Sequence, residues 1–394
     1  GFKMSFWRII LEKMLQKLKV GEIKVTFPNK DIKTFKGPKN GPKADVIFIT
    51  EKAIKDCILG GSLGFCEAII SGEIQSKDIS KLIEIGGHEE SGLNTSGKGH
   101  YFFKTLNKLF HILNRNSLRG SQKNIAAHYD LGNQFYELWL DKSMTYSSAY
   151  FGKSDLSLKK AQENKYKKIS QMVDLKKQNN VLEIGCGWGG FAEYASKNYN
   201  SLLTAITISK EQYAFSKKRI DKIGLSNSVN IKLVDYRKIR GSFDRIVSIE
   251  MIEAVGEKYW PIYFSQIKNL LKPNGKAVIQ VITIDDRYFD GYKKFPDFIQ
   301  KYIFPGGMLP SMKVLEKPIS QSGLKIDKID SFGKDYASTL SIWKKQFNKA
   351  WPKISKLGFD DKFYRMWNLY LSYCEGGFKS GSIDVKQIKL LPLD

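Results

Sequence analysis

Cysteine and histidine are scarce in this chain. Four of each occur among 394 residues. The cysteines, Cys57, Cys66, Cys186 and Cys374, form no C-x-x-C pair and the histidines no ligand cluster, which argues for a reducing cytoplasmic setting and against a metal site. Long apolar runs are missing as well. Nowhere does a stretch of about 18 uninterrupted apolar residues occur, so the sequence offers no helix that spans a bilayer. The opening segment Met4–Leu18 repeats apolar residues at helical spacing, but Arg8, Glu12, Lys13 and Lys17 fall inside it and exclude a signal peptide. Acidic residues are the third shortage. Against 64 Lys and Arg stand 40 Asp and Glu, a net charge of +24. Such a surplus points to an anionic partner, nucleic acid or an acidic membrane surface, since each basic side chain near anionic lipid contributes roughly 1 kcal/mol.

What is present is the length and pattern of a two-domain globular protein, because single cores stop growing near about 250 to 300 residues. Residues 20–95 alternate short β-like runs with apolar helical segments and read as a small α/β or α+β module, assigned to residues 1–114. A basic link, 115–123, follows. From residue 124 to 394 strands and helices alternate. Strands are expected at 180–184, 202–208, 229–234, 243–249 and 277–284, with later ones near 325–332 and 386–391, and helices at 210–223 and 259–271. Apolar strands with helices between them indicate a doubly wound α/β sheet with its ligand at the carboxyl ends of the strands. A long insertion, 285–319, separates the fifth strand from the sixth.

The densest signal is Val181–Gly190, VLEIGCGWGG. A strand runs into Glu183, then Gly185, Gly187 and Gly189 follow within five positions, and a helix pattern begins. Glycines let the backbone take positive φ and approach a ligand closely, while the N–H groups of the following helix favour negative charge. The G-x-G spacing alone is shared with nicotinamide-binding enzymes. The acid two residues ahead of the first glycine is suited to an amino group. At the next strand end stand Thr207 and Ser209, with Gln212 one turn into the helix; all three are candidate cofactor contacts, with Thr207 and Gln212 placed to grip ribose hydroxyls. Asp235 and Tyr236 end the third strand, placed to hydrogen-bond and stack an adenine. Acid, glycine turn and helix together resemble the first motif of class I S-adenosylmethionine (SAM) methyltransferases with a Rossmann-like fold.

Five further segments stand in order: Asn124–Asn133 (NIAAHYDLGN), Met144–Phe151 (MTYSSAYF), Glu250–Gly256 (EMIEAVG), Lys301–Gly307 (KYIFPGG) and Phe332–Leu340 (FGKDYASTL). At these residues the sequence resembles the cyclopropane fatty acid synthase family, from about Ile125 to the C-terminus. Gly61–Ile74 (GSLGFCEAIISGEI) is more loosely similar to that family's accessory domain, which is associated with lipid or with homodimer formation. The resemblance implies methyl transfer from SAM to the cis double bond of an unsaturated acyl chain in a membrane phospholipid. It implies cofactor contacts at Tyr146, Ser147, Gly185, Gly187, Thr207, Gln212 and Tyr236. It also implies a bicarbonate held by a cysteine, a glutamate, a histidine, a tyrosine and an isoleucine backbone group. Position by position, the glutamate is Glu253, the tyrosine Tyr336 and the isoleucine Ile282. The cysteine and histidine positions fall on Ser148 and Gln280. Both replacements still donate hydrogen bonds, but the loss of the imidazole puts the bicarbonate in doubt.

The chemistry suits the residue types. An alkene that attacks a sulfonium methyl becomes a carbocation, and aromatic faces stabilise such a charge by roughly 0.5 to 2 kcal/mol per ring. Tyr129, Phe135, Tyr136, Tyr146, Tyr150, Phe151 and Tyr302 are the candidates. Proton loss from the added methyl gives a cyclopropane, and loss from a chain carbon gives a methylated alkene, a precursor of methyl-branched or furan fatty acids. The changes at Ser148 and Gln280 favour the second. A non-catalytic lipid-binding homologue and a methyltransferase of another anionic substrate are the alternatives. A nucleic-acid substrate lacks support, because the aromatics lie in acyl-type motifs and not in a nucleic-acid module. Lys3, Lys13 and Lys17, with Arg115, Arg119 and Lys123, are expected to dock the chain peripherally on the anionic inner face of the membrane.

Overall fold

The computed structural model describes residues 5–88, 131–294 and 297–394. Lys3, Tyr129 and the basic link with Arg115, Arg119 and Lys123 lie outside the described residues. The chain packs as two units. One comprises 1–130, 291–305 and 347–382, and the other 131–290, 306–346 and 383–394.

In the first unit the elements run α1 (Phe6–Leu15), β1 (Val20–Thr26), β2 (Ile32–Lys36), β3 (Lys39–Phe48), α2 (Glu51–Ile70), β4 (Ile74–Gln75) and α3 (Ile79–Gly87). Ser5, Thr50 and Asp78 cap the three helices by accepting from backbone N–H groups of the first turn, the role expected of short polar side chains there. The strands lie in the order β2-β1-β3-β4, with β1 and β3 parallel and the outer pairs antiparallel. Val20, Ile23, Val25, Val46 and Phe48 are buried from this small sheet. α2 breaks at Gly61, whose φ of 59° and ψ of −140° are open to glycine and not to a residue with a Cβ.

The second unit holds α4 (Asn133–Glu137), α5 (Leu158–Met172), β5 (Asn180–Ile184), α6 (Gly190–Tyr199), β6 (Leu202–Thr207), α7 (Lys210–Lys222), β7 (Val229–Leu233) and β8 (Phe243–Ile249). It continues with α8 (Ile252–Val255), α9 (Trp260–Leu270), β9 (Leu271–Ile284), α10 (Asp286–Lys294), α11 (Met312–Gln321), β10 (Leu324–Ser331), α12 (Gly333–Ser355) and, after α13 (Asp361–Ser380), β11 (Ile383–Pro392). The seven strands form one sheet in the order β10-β11-β9-β8-β5-β6-β7. β9, β8, β5, β6 and β7 are mutually parallel, and β11 runs antiparallel to both its neighbours. From β5 the chain goes first to β6 on one side and later to β8 on the other. The carboxyl ends of these strands therefore frame the crevice in which doubly wound sheets hold ligands. Apolar side chains cover both faces: Leu182, Ile184, Ile246, Ile279 and Phe264 on one, Val181, Ala205, Val247, Val278 and Phe191 on the other.

Each expected strand position of the larger sheet carries a strand. The partition of the chain differs from the contiguous division at residues 115–123. α13, the end of α12 and part of the 285–319 insertion group with the first unit. The reason is packing: α13 lies against α3 and α2, and at Gly376 an added Cβ would stand 2.6 Å from Ile83 and 2.7 Å from the Ser80 carbonyl oxygen. The helix can approach this closely only without a side chain at that point.

Phe264 on α9 is fully buried. Its truncation to alanine leaves an aromatic-sized cavity beneath the larger sheet and is expected to cost about 3 to 5 kcal/mol, read as a lower urea midpoint of the second unit; an unchanged midpoint would contradict this packing.

Candidate active site

The glycine turn after β5 takes the backbone expected of it. Gly185, Gly187 and Gly189 all have positive φ, at 79°, 54° and 91°. The N–H groups of Gly185 and Cys186 both donate to the Ile206 carbonyl, tying the turn to β6. A Cβ at Gly187 would meet nothing within 4 Å, so the loop is open there. Beside it Glu183 is 2% exposed, and its Oε1 has no hydrogen-bond partner among the described residues. Burial pushes its carboxyl up to about 8, opposed by the charge of Lys165. Lys165 on α5 is itself fully buried and donates to Ser147 Oγ at 2.5 Å; burial lowers its ammonium to about 8. An unpartnered buried carboxylate beside an open glycine turn fits the ammonium of an amino-acid-bearing cofactor such as SAM, which would supply its missing partner.

At the next strand ends the side chains engage one another. Thr207 Oγ1 donates to Gln212 Oε1 at 2.8 Å and accepts from the Ser209 N–H, while Ser209 caps α7 through the Gln212 N–H. Asp235 accepts from Arg237 through both carboxylate oxygens, which holds it below the usual carboxylate range. Tyr236 is 8% exposed and packs edge-on against Tyr263. These five residues stand at successive strand ends with capping and core roles of their own.

The expected anion cradle is arranged differently from the sequence reading. Its centre is a side chain that reading passed over, Glu250, at the carboxyl end of β8. Glu250 Oε2 accepts from the Ser148 backbone N–H at 2.8 Å and from Gln280 Nε2 at 2.7 Å, and Oε1 accepts from Tyr336 OH at 2.5 Å. The Ser148 hydroxyl points elsewhere, donating to the Ala149 carbonyl. The Ile282 N–H is given to Glu253 Oε1, leaving Glu253 Oε2 buried without a partner among the described residues. Burial and the neighbouring Glu250 push the Glu253 carboxyl up to about 8. Gln280 is fixed in turn by Gln387, its cross-strand neighbour on β11, which donates to Gln280 Oε1 at 3.0 Å. The only cue in the sequence was a pair of acids three residues apart at a strand end.

An aromatic cluster adjoins the cradle. Tyr146 lies within 5.3 to 5.7 Å, centroid to centroid, of Tyr136, Trp139 and Trp343. Trp343 also meets Tyr336 edge-on, and Trp188 meets Tyr136 at 4.9 Å. Of the aromatics expected from sequence, Tyr136 and Tyr146 belong to this cluster, and Phe135 backs it edge-on from the core. Tyr150 packs on Phe332 with Lys168 over its ring. Phe151 donates its backbone N–H to Asp335. Tyr302 lies in the first unit, against Phe298. The three tryptophans were missed: Trp139 and Trp343 stand in otherwise ordinary helix and loop patterns, and Trp188 lies inside the glycine turn, where the glycines carried the reading.

Residues 116–388 match the model of the family described as mycolic acid cyclopropane synthetase. The chain is 34% identical over 363 residues to the tuberculostearic acid methyltransferase UfaA1 of Mycobacterium tuberculosis, covering 89% of this chain and 84% of that protein. It is also 34% identical over 357 residues to the cyclopropane-fatty-acyl-phospholipid synthase of Escherichia coli, covering 88% and 87%. Among solved structures, the mycolic acid cyclopropane synthase CmaA1 complexed with SAH and CTAB matches with a TM-score of 0.63 at 29% identity, over 68% of this chain and 97% of that one.

Folded Glu183 keeps its proton up to about 8, whereas the free carboxyl loses it near 4.5. The unfolded state therefore binds fewer protons across that window, and stability of the ligand-free protein falls as pH rises through it. Glu183→Gln is expected to flatten the slope by up to about 1.4 kcal/mol per pH unit, measured by urea titration between about pH 5 and 8. An identical slope in both proteins would contradict the assignment.

Proposed function

Because the chain belongs to the mycolic acid cyclopropane synthetase family and is therefore a SAM-dependent methyltransferase acting on lipid acyl chains, we propose that its substrate is the double bond of an unsaturated chain in a membrane phospholipid, and that its product is a methylated alkene in preference to a cyclopropane. The observation that carries this reading is the adjacency of an aromatic cluster, Tyr136, Tyr146, Trp139 and Trp343, to a carboxylate cradle at the carboxyl ends of β8 and β9.

SAM, when bound, supplies an electrophilic methyl group. In this reading Glu183 holds the cofactor's ammonium, Gly185, Gly187 and Gly189 admit its backbone-facing side, and Tyr146 and Ser147 close over it. Thr207, Ser209, Gln212, Asp235 and Tyr236 serve the adenosine end, which requires Gln212 and Arg237 to exchange their present partners. Methyl transfer to an alkene leaves positive charge on a carbon that no hydrogen bond can reach. Ring faces of Tyr136, Tyr146 and Trp343 offer that charge roughly 0.5 to 2 kcal/mol each. Glu253, Tyr336, Ser148, Gln280 and Ile282 frame the place where the proton then leaves. No helix among the described residues is long and apolar enough to cross a membrane. Docking on anionic headgroups falls in this proposal to exposed lysines such as Lys13 and Lys17 on the first helix and its flank, with the first unit as the lipid- or dimer-associated part.

The test incubates purified protein with SAM and vesicles of a defined monounsaturated phospholipid. The expected result is a gain of one CH2 in the acyl chain by mass spectrometry, with hydrogenation or NMR identifying a branched alkene. Glu183→Ala is expected to weaken SAM binding about 10- to 100-fold, the loss that accompanies removal of a charged hydrogen-bond partner. Binding of lipid without methyl transfer would favour a non-catalytic homologue instead.

A further inference from the structure

Resting on the reading of the site as an acyl-chain methyltransferase, we infer that the Glu250 carboxylate is the resident proton acceptor of the reaction, occupying the cradle that the resemblance assigns to a free bicarbonate, so that this protein needs no added anion. The residues present do not fit a separate anion. The Ser148 N–H, the Gln280 amide and the Tyr336 hydroxyl are already donated to Glu250, and the Ile282 N–H to Glu253. A second anion in the same space would have to displace the carboxylate and would meet its charge at contact distance.

Three features mark the carboxylate as built for the task. First, the Ser148 N–H, the Gln280 amide and the Tyr336 hydroxyl are all donors aimed at an acceptor, the pattern that favours the ionised form. Burial raises the Glu250 carboxyl above the usual carboxylate range, and the charge of Lys165 together with these donors opposes that rise. Glu253, three residues on, is pushed up to about 8 by burial and by the charge of Glu250, and its Oε2 has no partner among the described residues, so of the two acids Glu250 is the one provided with donors on both oxygens. Second, Glu250 has φ of +50°, a left-handed backbone that a residue with a Cβ adopts only at a cost and that persists where the surroundings enforce it. The enforcing bond is the Glu250 N–H to the Gln280 carbonyl at 2.7 Å. Third, Gln280 has its amide orientation set by Gln387 across the β9–β11 ladder, so the donor presented to the carboxylate is fixed from behind. Glu250 itself stays half-buried, leaving accessible surface for a chain to approach.

The step balances within the site. Once the methyl has joined the olefin, with the electrons of the broken carbon–sulfur bond left on sulfur, the chain carries a carbocation. An adjacent C–H bond then breaks, its pair closes the new double bond, and the proton goes to a Glu250 oxygen. The resulting carboxyl returns that proton to water between turnovers.

The test has two arms. In the first, 13C-labelled bicarbonate is titrated into the full-length protein and followed by NMR line broadening, a readout independent of turnover. No saturable binding is expected for the native sequence, and saturable binding would overturn the proposal. In the second, turnover of unsaturated phospholipid vesicles is compared in carbon-dioxide-scrubbed and bicarbonate-supplemented buffer. The native protein is expected to be indifferent to bicarbonate. Glu250→Gln, which keeps the size of the side chain, is expected to lose at least about a hundredfold in kcat while its SAM affinity, read by calorimetry, stays within about threefold. Bicarbonate-dependent turnover of the native protein, or a Gln variant as active as the native, would overturn the proposal. If no phospholipid is turned over although SAM binds, the substrate reading fails, and the bicarbonate titration still decides the assignment of Glu250.

Discussion

A carboxylate drawn out of bulk water must have its charge met by donors or give it up. At the carboxyl end of β8 burial raises the Glu250 carboxyl, and an N–H from the loop at Ser148, an amide on β9 and a phenol on α12 work against that rise. Three distant stretches of sequence converge on two oxygen atoms, and the strand order places them there. β9 lies beside β8 on one side and beside β11 on the other, so Gln387 can orient Gln280 and Gln280 can orient Glu250. The rest of the site is arranged about this point: the aromatic cluster through the Tyr336–Trp343 contact, and the glycine turn through Lys165, which reaches Ser147 and lies within the field of both Glu183 and Glu250.

Much of the larger sheet could be read in advance because its signal is local. The central parallel strands, buried on both faces, give short apolar runs bounded by turn residues, and all seven expected positions carry strands. The glycine turn was equally legible, since positive φ at three alternate residues leaves few choices but glycine. The grouping of the C-terminal helices with the first unit was not. α13 carries its apolar side chains at helical spacing wherever it packs, and which surface receives them is decided by a close approach at Gly376 that no period in the sequence reports.

Glu250 was illegible for a related reason. Within EMIEAVG the acid matched by resemblance is Glu253, and Glu250 reads as a strand-end polar residue. Its meaning depends on the replacements at Ser148 and Gln280, which taken singly look like losses of a thiol and an imidazole. In the structure Ser148 contributes its backbone and not its hydroxyl, and Gln280 supplies a neutral donor to a fixed anion. Under the proposal that Glu250 takes the place of a free anion, the replacements at Ser148 and Gln280 are mutually consistent: a cradle that holds its own carboxylate has no use for side chains that grip a diffusible one.

On the proposal above, Glu250 fills this cradle while the cofactor site is occupied. A high-resolution crystal structure with S-adenosylhomocysteine, grown in bicarbonate-rich buffer, tests it most directly. The Glu250 carboxylate is expected within hydrogen-bond distance of the Ser148 N–H, Gln280 and Tyr336, with no separate anion density between them. A planar anion in that place, with Glu250 turned aside, would contradict it.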